Sequence, residues 1–477
     1  MRNPSSGRDS TVFERNAPGQ AVIDRALEST RQSVFWLDEL GQGAAYPSLT
    51  GAHSADLVVV GGGYTGLWTA VLAKRRYPDR SVVLLEAKTI GWAASGRNGG
   101  FCDASLTHGD SNGEARWPDE METLRRLGDE NLDSIERSVD ELGLDAQFER
   151  TGSLDVATEP HQVEWLREEG GEFLDQDAVR AEVNSPTYLA GSWGRRSTAL
   201  VHPARLAKEL ARVASELGVE VFEHSHVKRL EAGTPGGPVG IVTEDGRVDA
   251  DNVALGTNVF PSLLRRQRFM TVPVYDYVLM TEPLSDEQLA SIGWRNRQGV
   301  GDVANQFHYY RLSADNRILW GGYDAIYHYG RGVRASREYR PQTFAKLASH
   351  FFTTFPQLEG VRFTHRWAGA IDTSTQFCAF FGLAKAGRVA SASGFTGLGV
   401  AATHFAAEVM LDRLDGIQNE RTALKMVTQP PLPFPPEPFA FAGIQATRWS
   451  LNRADHREGK RNLLLRGLDA VGLGFDS

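Results

Sequence analysis

One stretch restricts this chain more than any other: DLVVVGGGYTGLWTAVLAKRRYPDRSVVLLEA, residues 56–87. Leu57 to Val60 form an unbroken apolar run of the kind buried on both faces of a parallel sheet. A glycine turn follows, then a helix able to bury Leu67, Ala70 and Val71, a Pro-Asp turn, and a second apolar run from Val82 to Leu85. A strand-helix-strand unit of this size fits one right-handed parallel crossover. Gly61, Gly63 and Gly66 carry the G-x-G-x-x-G spacing. In that context the first glycine makes the tight turn, the second lets a pyrophosphate approach bare backbone, and the third lets helix and strand pack closely. Tyr64 and Thr65 open the helix, where free N–H groups await an anion. Glu86, with Ala87 beside it, ends the second strand 20 residues past Gly66, where a carboxylate can accept hydrogen bonds from an adenosine ribose. The unit leaves open which dinucleotide it holds.

Beyond this unit the pattern alternates. Residues 1–53 form a polar lead-in with one amphipathic patch, VIDRALESTRQSVFWLDEL, expected to pack on the main body. Residues 111–190 read as charged helices with solvated faces, Gly143 serving as a helix stop. PARLAKELARVASELG predicts a helix, VEVFEHSHVKRLEA a strand, residues 233–240 a glycine-proline turn, and Asp245-Gly246 a hairpin. TVPVYDYVLMT (271–281) and QFHYYRLSADNRILWGGY (306–323) are rich in β-branched and aromatic residues, which predicts an antiparallel sheet distinct from the parallel one. GRVASASGFTGLGVAATHFAAEVMLDRL then repeats strand, glycine loop and helix.

Composition removes several classes of function. With 51 Lys and Arg against 60 Asp and Glu, the net charge of −9 provides no basic footprint for nucleic acid. Two cysteines exclude a disulfide framework and a thiolate metal cluster, and fit a reducing compartment. The polar N-terminus is unlike a secretory signal, and no apolar run approaches the ~20 residues that span a bilayer. The expectation is a cytoplasmic chain with neither nucleic acid nor membrane as partner, its oligomeric state open. His224 and His226 stand two apart on an expected strand, but no third ligand is near in sequence, so no metal is expected. HExxH, GxSxG and Walker A patterns are missing, which leaves hydrolase and kinase readings without support.

Three further segments carry candidate chemistry. GWAASGRNGGF, residues 91–101, can wrap an extended cofactor beyond its pyrophosphate, with Ser95 and Arg97 reaching phosphate or ring oxygens. Gly394-Phe395-Thr396-Gly397-Leu398-Gly399 precedes a helix and so places a second positive helix end in the fold. Aimed at an isoalloxazine, that end would stabilise the negative charge that develops at the N1/C2 carbonyl on reduction. On the antiparallel sheet, Tyr275 and Tyr277 share one strand face by the two-residue period, and His308, Tyr309, Tyr310 and Arg311 occupy a neighbouring segment. Arg311 is a candidate bidentate clamp for a carboxylate or phosphonate, and the rings are candidates to box a cationic or aliphatic amine.

The GGGYTG fingerprint, the SGRNGGF loop, ALVHPARLAKELA, VALGTN, YYRLSADNRILWGG and ASGFTGLGVA together resemble the FAD-dependent D-amino-acid oxidase superfamily. Within it the chain is most similar to the branch of gamma-glutamylputrescine oxidases and aminophosphonate oxidoreductases. The resemblance implies an α/β, two-domain flavoprotein. Its Rossmann-like FAD-binding domain would be assembled from 54–110, 195–260 and 365–415, and its antiparallel-sheet substrate domain from 111–194 and 261–364. Residues 416–477 would form a C-terminal tail. It further implies that Gly61, Gly63, Gly66 and Glu86 hold the ADP half of FAD. Ser95, Arg97, Asn98, Gly99 and Gly100 would pass the ribityl chain and flavin, and Val227 would meet adenine through its backbone. Gly256 matches the strand end beside the cofactor, and Gly394 to Gly399 the turn at the flavin pyrimidine. Members with a cysteinyl flavin carry Cys where this chain aligns Ala370, near Thr373, so FAD is expected to be non-covalent. The implied reaction oxidises the C–N bond of a small amine or amino acid to an imine that water hydrolyses, with dioxygen the expected acceptor and another acceptor left open. A nicotinamide-dependent dehydrogenase and a non-catalytic flavin-binding protein are the alternatives.

Overall fold

The computed structural model describes residues 10–41, 43, 45–168, 170–231, 237–470 and 472–474. Residues 233–236 of the expected glycine-proline turn, the first nine residues of the lead-in and the last three of the chain fall outside this description.

The run Leu57 to Val60 ends the strand Gly51–Val60, which lies inside an eight-stranded sheet. Val82–Leu85 and then Val219–Phe222 run parallel on one side of it; Gly246–Leu255 and then Val389–Ser393 run parallel on the other. In chain order these strands stand third, second, first, fourth, fifth, the doubly wound Rossmann-like arrangement, and the order reverses beside the glycine turn. Leu57 and Val59 pack in one core with the helices Tyr64–Arg76, Pro203–Glu216 and Gly399–Leu414, while Val58 and Val60 pack in a second core with Val239 and Ile241. Burial on both faces is why these strands read as continuous rather than alternating apolar runs. The Tyr64–Arg76 helix is buried all round from Tyr64 to Lys74, so both ends are held in register with the sheet.

The second sheet has ten strands. Its central run is Phe363–Ser374, Thr271–Thr281, Ile318–Gly322, His308–Leu312 and Gly299–Asp302, each antiparallel to the next. Two pairs break that pattern: Arg31–Gln32 runs parallel to Phe363–Ser374, and Gly299–Asp302 runs parallel to Ser153–Ala157. One face of the sheet packs on the helix Pro341–Thr354 through Phe344, Leu347 and Phe351, in a core that also takes Ile23 and Ala26 from the helix Gln20–Leu27.

Several segments depart from expectation. The amphipathic lead-in is two helices, Gln20–Leu27 and Phe35–Leu40, separated by the strand Arg31–Gln32. Residues 365–374, expected with the nucleotide segments, pair along Thr271–Thr281 in the ten-stranded sheet. The helix Met121–Glu141, expected with the substrate segments, buries Leu124, Leu132 and Ile135 in the helical core of the parallel sheet. VEVFEHSHVKRLEA is two strands, Val219–Phe222 and Arg229–Glu231. His224 sits between them at φ +50°, exposed like His226, so the two histidines are not alternate residues of one strand. That reversal lets the Ser225 N–H donate to the Glu86 carbonyl at 2.8 Å and brings the Val227 segment beside Glu86.

Candidate active site

At the glycine turn Gly61 and Gly66 are fixed by close contact with backbone, and Gly63 by a side chain. Gly61 has φ +117°, and a Cβ there would lie 2.5 Å from the Gly256 carbonyl oxygen. A Cβ on Gly66 would lie 1.9 Å from the Gly61 carbonyl oxygen. Gly63 precedes the helix, and its nearest neighbour is the Ser95 hydroxyl, which accepts from the Tyr64 N–H at 2.9 Å. Ser95 therefore already acts as an oxygen acceptor at the helix start, the position a phosphate oxygen would take. The Glu86 carboxylate, 7% exposed, accepts from the Gly62 N–H (2.7 Å), the Lys88 N–H (2.8 Å) and Trp92 Nε1 (2.8 Å). It ties the glycine loop to the end of the second strand, and a carboxylate with three of about four acceptor positions filled retains one for a ribose hydroxyl.

A cavity of about 1780 Å³ opens from this turn. Gly63, Tyr64, Thr65, Ser95, Arg97, Asn98, Gly99, Gly100 and Gly256 line one part, and Thr396, Gly397, Leu398 and Gly399 another. Gly61, Gly66, Glu86, Ala87, Val227 and Gly394 are not among its lining; Val227 is buried with Val60 and Val83. Arg97, expected to reach phosphate or ring oxygens, is instead turned to Glu338 (2.7 Å) and the carbonyls of Trp92 and Ala368. Asn98 bonds the carbonyls of Ala94 and Ser95 and accepts from the Gly100 N–H, so it shapes its own loop. Gly99 leaves room for the Tyr309 ring, which a Cβ would meet at 2.6 Å.

The later glycine turn is organised by Asp372. Its carboxyl accepts backbone N–H groups of Gly394, Phe395 and Thr396, yet burial outweighs these donors and pushes its pKa up to about 7. Thr396 (φ +51°) and Gly397 (φ +101°) reverse the chain so that Gly397, Leu398, Gly399 and Val400, at the start of the Gly399–Leu414 helix, face the cavity.

Of the residues expected to meet substrate, Tyr309 lines the cavity, while Tyr275, Tyr277, His308, Tyr310 and Arg311 do not. Tyr275 and Tyr277 lie on the helical face of the sheet, their hydroxyls bonded to Arg334 and Arg337 backbone. Tyr310 stacks on Trp320 and shares a 2.6 Å hydrogen bond with the Tyr188 hydroxyl. His308 is fully buried between Asp302 (2.6 Å) and His350 (2.9 Å). Arg311 is buried with its Nη1 on the Val201 carbonyl at 2.7 Å, and burial lowers its pKa to about 10; it braces the backbone beneath Gly100 and is not among the residues lining the cavity. The two-residue period correctly placed Tyr275 and Tyr277 together, but periodicity is silent about which face a second layer of helices will cover.

The opposite face, carrying Val272, Val274 and Asp276 with Tyr309, is the cavity wall. The Tyr309 hydroxyl donates to Asp276, whose carboxyl also accepts from the Tyr277 and Gly322 N–H groups; burial again dominates and raises its pKa to about 6. Reading the strand one residue out of phase from the tyrosines would have found Asp276. A second wall had no sequence signal: the helix Phe439–Asp455 contributes Ile444, Thr447, Arg448 and Leu451.

A doubly wound parallel sheet, a glycine turn at its first strand and two helix starts opening on one cavity opposite an antiparallel sheet define a dinucleotide-dependent oxidoreductase. The cavity exceeds an ordinary small-ligand pocket of about 300–1,000 Å³, as an extended cofactor plus substrate requires. The FAD dependent oxidoreductase family, DAO, matches residues 56–413, and the chain belongs to it. It is 32% identical over 420 residues to gamma-glutamylputrescine oxidoreductase of Escherichia coli (strain K12), covering 84% of this chain and 93% of that one. Among solved structures it is similar to L-proline dehydrogenase from P. horikoshii (TM-score 0.64, 17% identity, 77% of this chain and 95% of that one). It is also similar to glycine oxidase from Bacillus cereus ATCC 14579 (TM-score 0.62, 19% identity, 78% and 98%). The cofactor is FAD, and the nicotinamide alternative falls. The donors present fit it: N–H groups of Gly63 and Thr65, beside the Tyr64 N–H that Ser95 already takes, for the diphosphate, and of Gly397, Gly399 and Val400 for the electron-rich edge of the ring.

Proposed function

We propose that this enzyme oxidises the C–N bond of a small primary or secondary amine to an imine, which water hydrolyses to a carbonyl compound and the released amine. The observation that carries the reading is the placement of the half-buried Asp276–Tyr309 pair on the wall of the cavity that both helix starts also line. FAD bound there supplies a two-electron acceptor. The chain's own task is to hold the amine close and neutral. Asp276, with Tyr309 donating to it, takes the proton of an arriving ammonium group and leaves the nitrogen lone pair free. Other acidic side chains on the cavity wall, Asp155 and Asp302 among them, favour a cationic ligand. Because Arg311 is committed to Val201, a carboxylate on the substrate is no requirement for binding.

Non-covalent attachment is supported by the position of both cysteines. Cys102 and Cys378 are buried away from the cavity lining, and burial raises both thiol pKa values. Ala370, which pairs with Tyr275 and borders the cavity, offers no nucleophile for a covalent link. Acid denaturation should therefore release all of the flavin into solution. The test of function is an anaerobic panel of small amines read by flavin absorbance. Bleaching by at least one amine, with aldehyde or keto product recovered, is expected; a flavin that stays oxidised across alkyl amines, polyamines and amino acids would refute the reading. Hydrogen peroxide yield in air then separates dioxygen from another acceptor.

A further inference from the structure

The helix Phe439–Asp455 reverses the usual arrangement of a surface helix. Its buried residues are Ala440, Ser450 and Ala454, all small, whereas Phe439, Ala442, Gly443, Ala446, Trp449 and Arg453 are exposed. Steps of three and four residues put these on one side, so an apolar stripe faces outward. Phe439 is 68% and Trp449 59% exposed, and the next helix, Leu463–Ala470, adds Leu463 at 85% with Leu464 beside it. A stripe of this kind marks an interaction surface rather than scattered surface apolarity.

Charge identifies the partner. Residues 439–474 carry Arg448, Arg453, Arg457, Lys460, Arg461 and Arg466 against only Asp455, Glu458 and Asp469, in a chain whose net charge is −9. The acids are committed: Asp455 turns inward to Asn305 and Gln306, Glu458 pairs with Lys460, and Asp469 with Arg461. Arg453 and Arg466 have no carboxylate partner among the described residues. A two-fold contact between copies of this chain would set these like charges against one another. Exposed aromatic and leucine side chains flanked by unpaired arginines match the headgroup layer of an anionic bilayer, where the rings and leucines enter the acyl boundary and guanidinium groups meet phosphates.

We propose that this face docks the enzyme peripherally on an anionic membrane surface, Trp449, Phe439 and Leu463 inserting and Arg453 and Arg466 contacting lipid phosphates. No helix among the described residues is long and apolar enough to cross a membrane, so the contact is interfacial. Phe439, Ala446 and Leu464 also line the cavity, so docking sets its mouth against the headgroups.

The test uses the flavin-loaded full chain and sedimentation with vesicles of phosphatidylcholine alone or mixed in equal parts with phosphatidylglycerol. Binding to the mixed vesicles that weakens with added salt is expected. Trp449→Ser with Leu463→Ser should reduce it roughly tenfold or more, since both remove apolar side chains that enter the acyl boundary. Arg453→Glu with Arg466→Glu should abolish the preference for phosphatidylglycerol while leaving flavin content and turnover of a water-soluble amine unchanged. Failure to sediment at low salt, or binding indifferent to both variant pairs, would overturn the proposal. So would a dimer in solution that Trp449→Ser converts to monomer, which would assign the face to a second copy.

Discussion

Asp276 is a carboxyl group whose burial sets its working range. With a pKa near 6 it is ionised in neutral solution and able to take a proton from an ammonium substrate, and it loses that capacity as pH falls through 6. The rate of flavin reduction under kcat/KM conditions should therefore rise with pH across that value. Asp276→Asn should lower the rate about a hundredfold and remove this limb, with flavin retained. Tyr309→Phe should move the limb without removing it. Arg311 makes the contrasting case. Arg311→Met leaves the Val201 carbonyl unpaired and should cost about 1–3 kcal/mol in urea denaturation. The ratio of kcat/KM between carboxylated and uncarboxylated amines should stay as it was, because the guanidinium faces backbone.

Among the elements, the two buried helices and the tail divide the work. Tyr64–Arg76 and Gly399–Leu414 present their first N–H groups to the same cavity and pack on each other, so displacing one disturbs both ends of the cofactor site. The Phe439–Asp455 helix is a cavity wall held by the Asp455 carboxylate on the Asn305 N–H (3.0 Å), the Asn305 side chain (2.7 Å) and the Gln306 N–H (3.1 Å). Asp455→Ala frees three donors at once. The expected outcome is a KM raised several-fold with kcat nearly unchanged, and faster amide hydrogen exchange in residues 303–307 and 439–455. Unchanged exchange there would mean that apolar contacts alone seat the tail.

At the scale of the whole molecule the cofactor site joins the two sheets. Gly256 ends a strand of the parallel sheet against Gly61, while Thr373, in the ten-stranded sheet, bridges to Phe395 in the late glycine turn. FAD bound between them should raise the stability of both sheets together, by about 4 kcal/mol at a thousandfold excess over Kd. Removing flavin should produce a single lower melting transition and loss of amide protection in both sheets; two separated transitions would show that the sheets unfold independently. The nucleotide half was legible from sequence because its determinants are local. A glycine at a positive φ, a helix start and an apolar strand are set by backbone sterics and by neighbours a few residues apart, and they point to one fold wherever they occur together. The substrate half was not. Alternation along Thr271–Thr281 grouped Tyr275 with Tyr277, and Asp276 with Val274, but the choice of buried face belonged to the Pro341–Thr354 helix some 60 residues away. Arg311 was committed by a carbonyl 110 residues away, and the tail became a wall through Asp455, 150 residues from its partner. Sequence by itself determined the glycine turn, the helix start behind it and the kinds of sheet, because short-range geometry specifies them. Tertiary structure alone decided which polar groups face the reaction, because a side chain's direction depends on which surface distant segments bury.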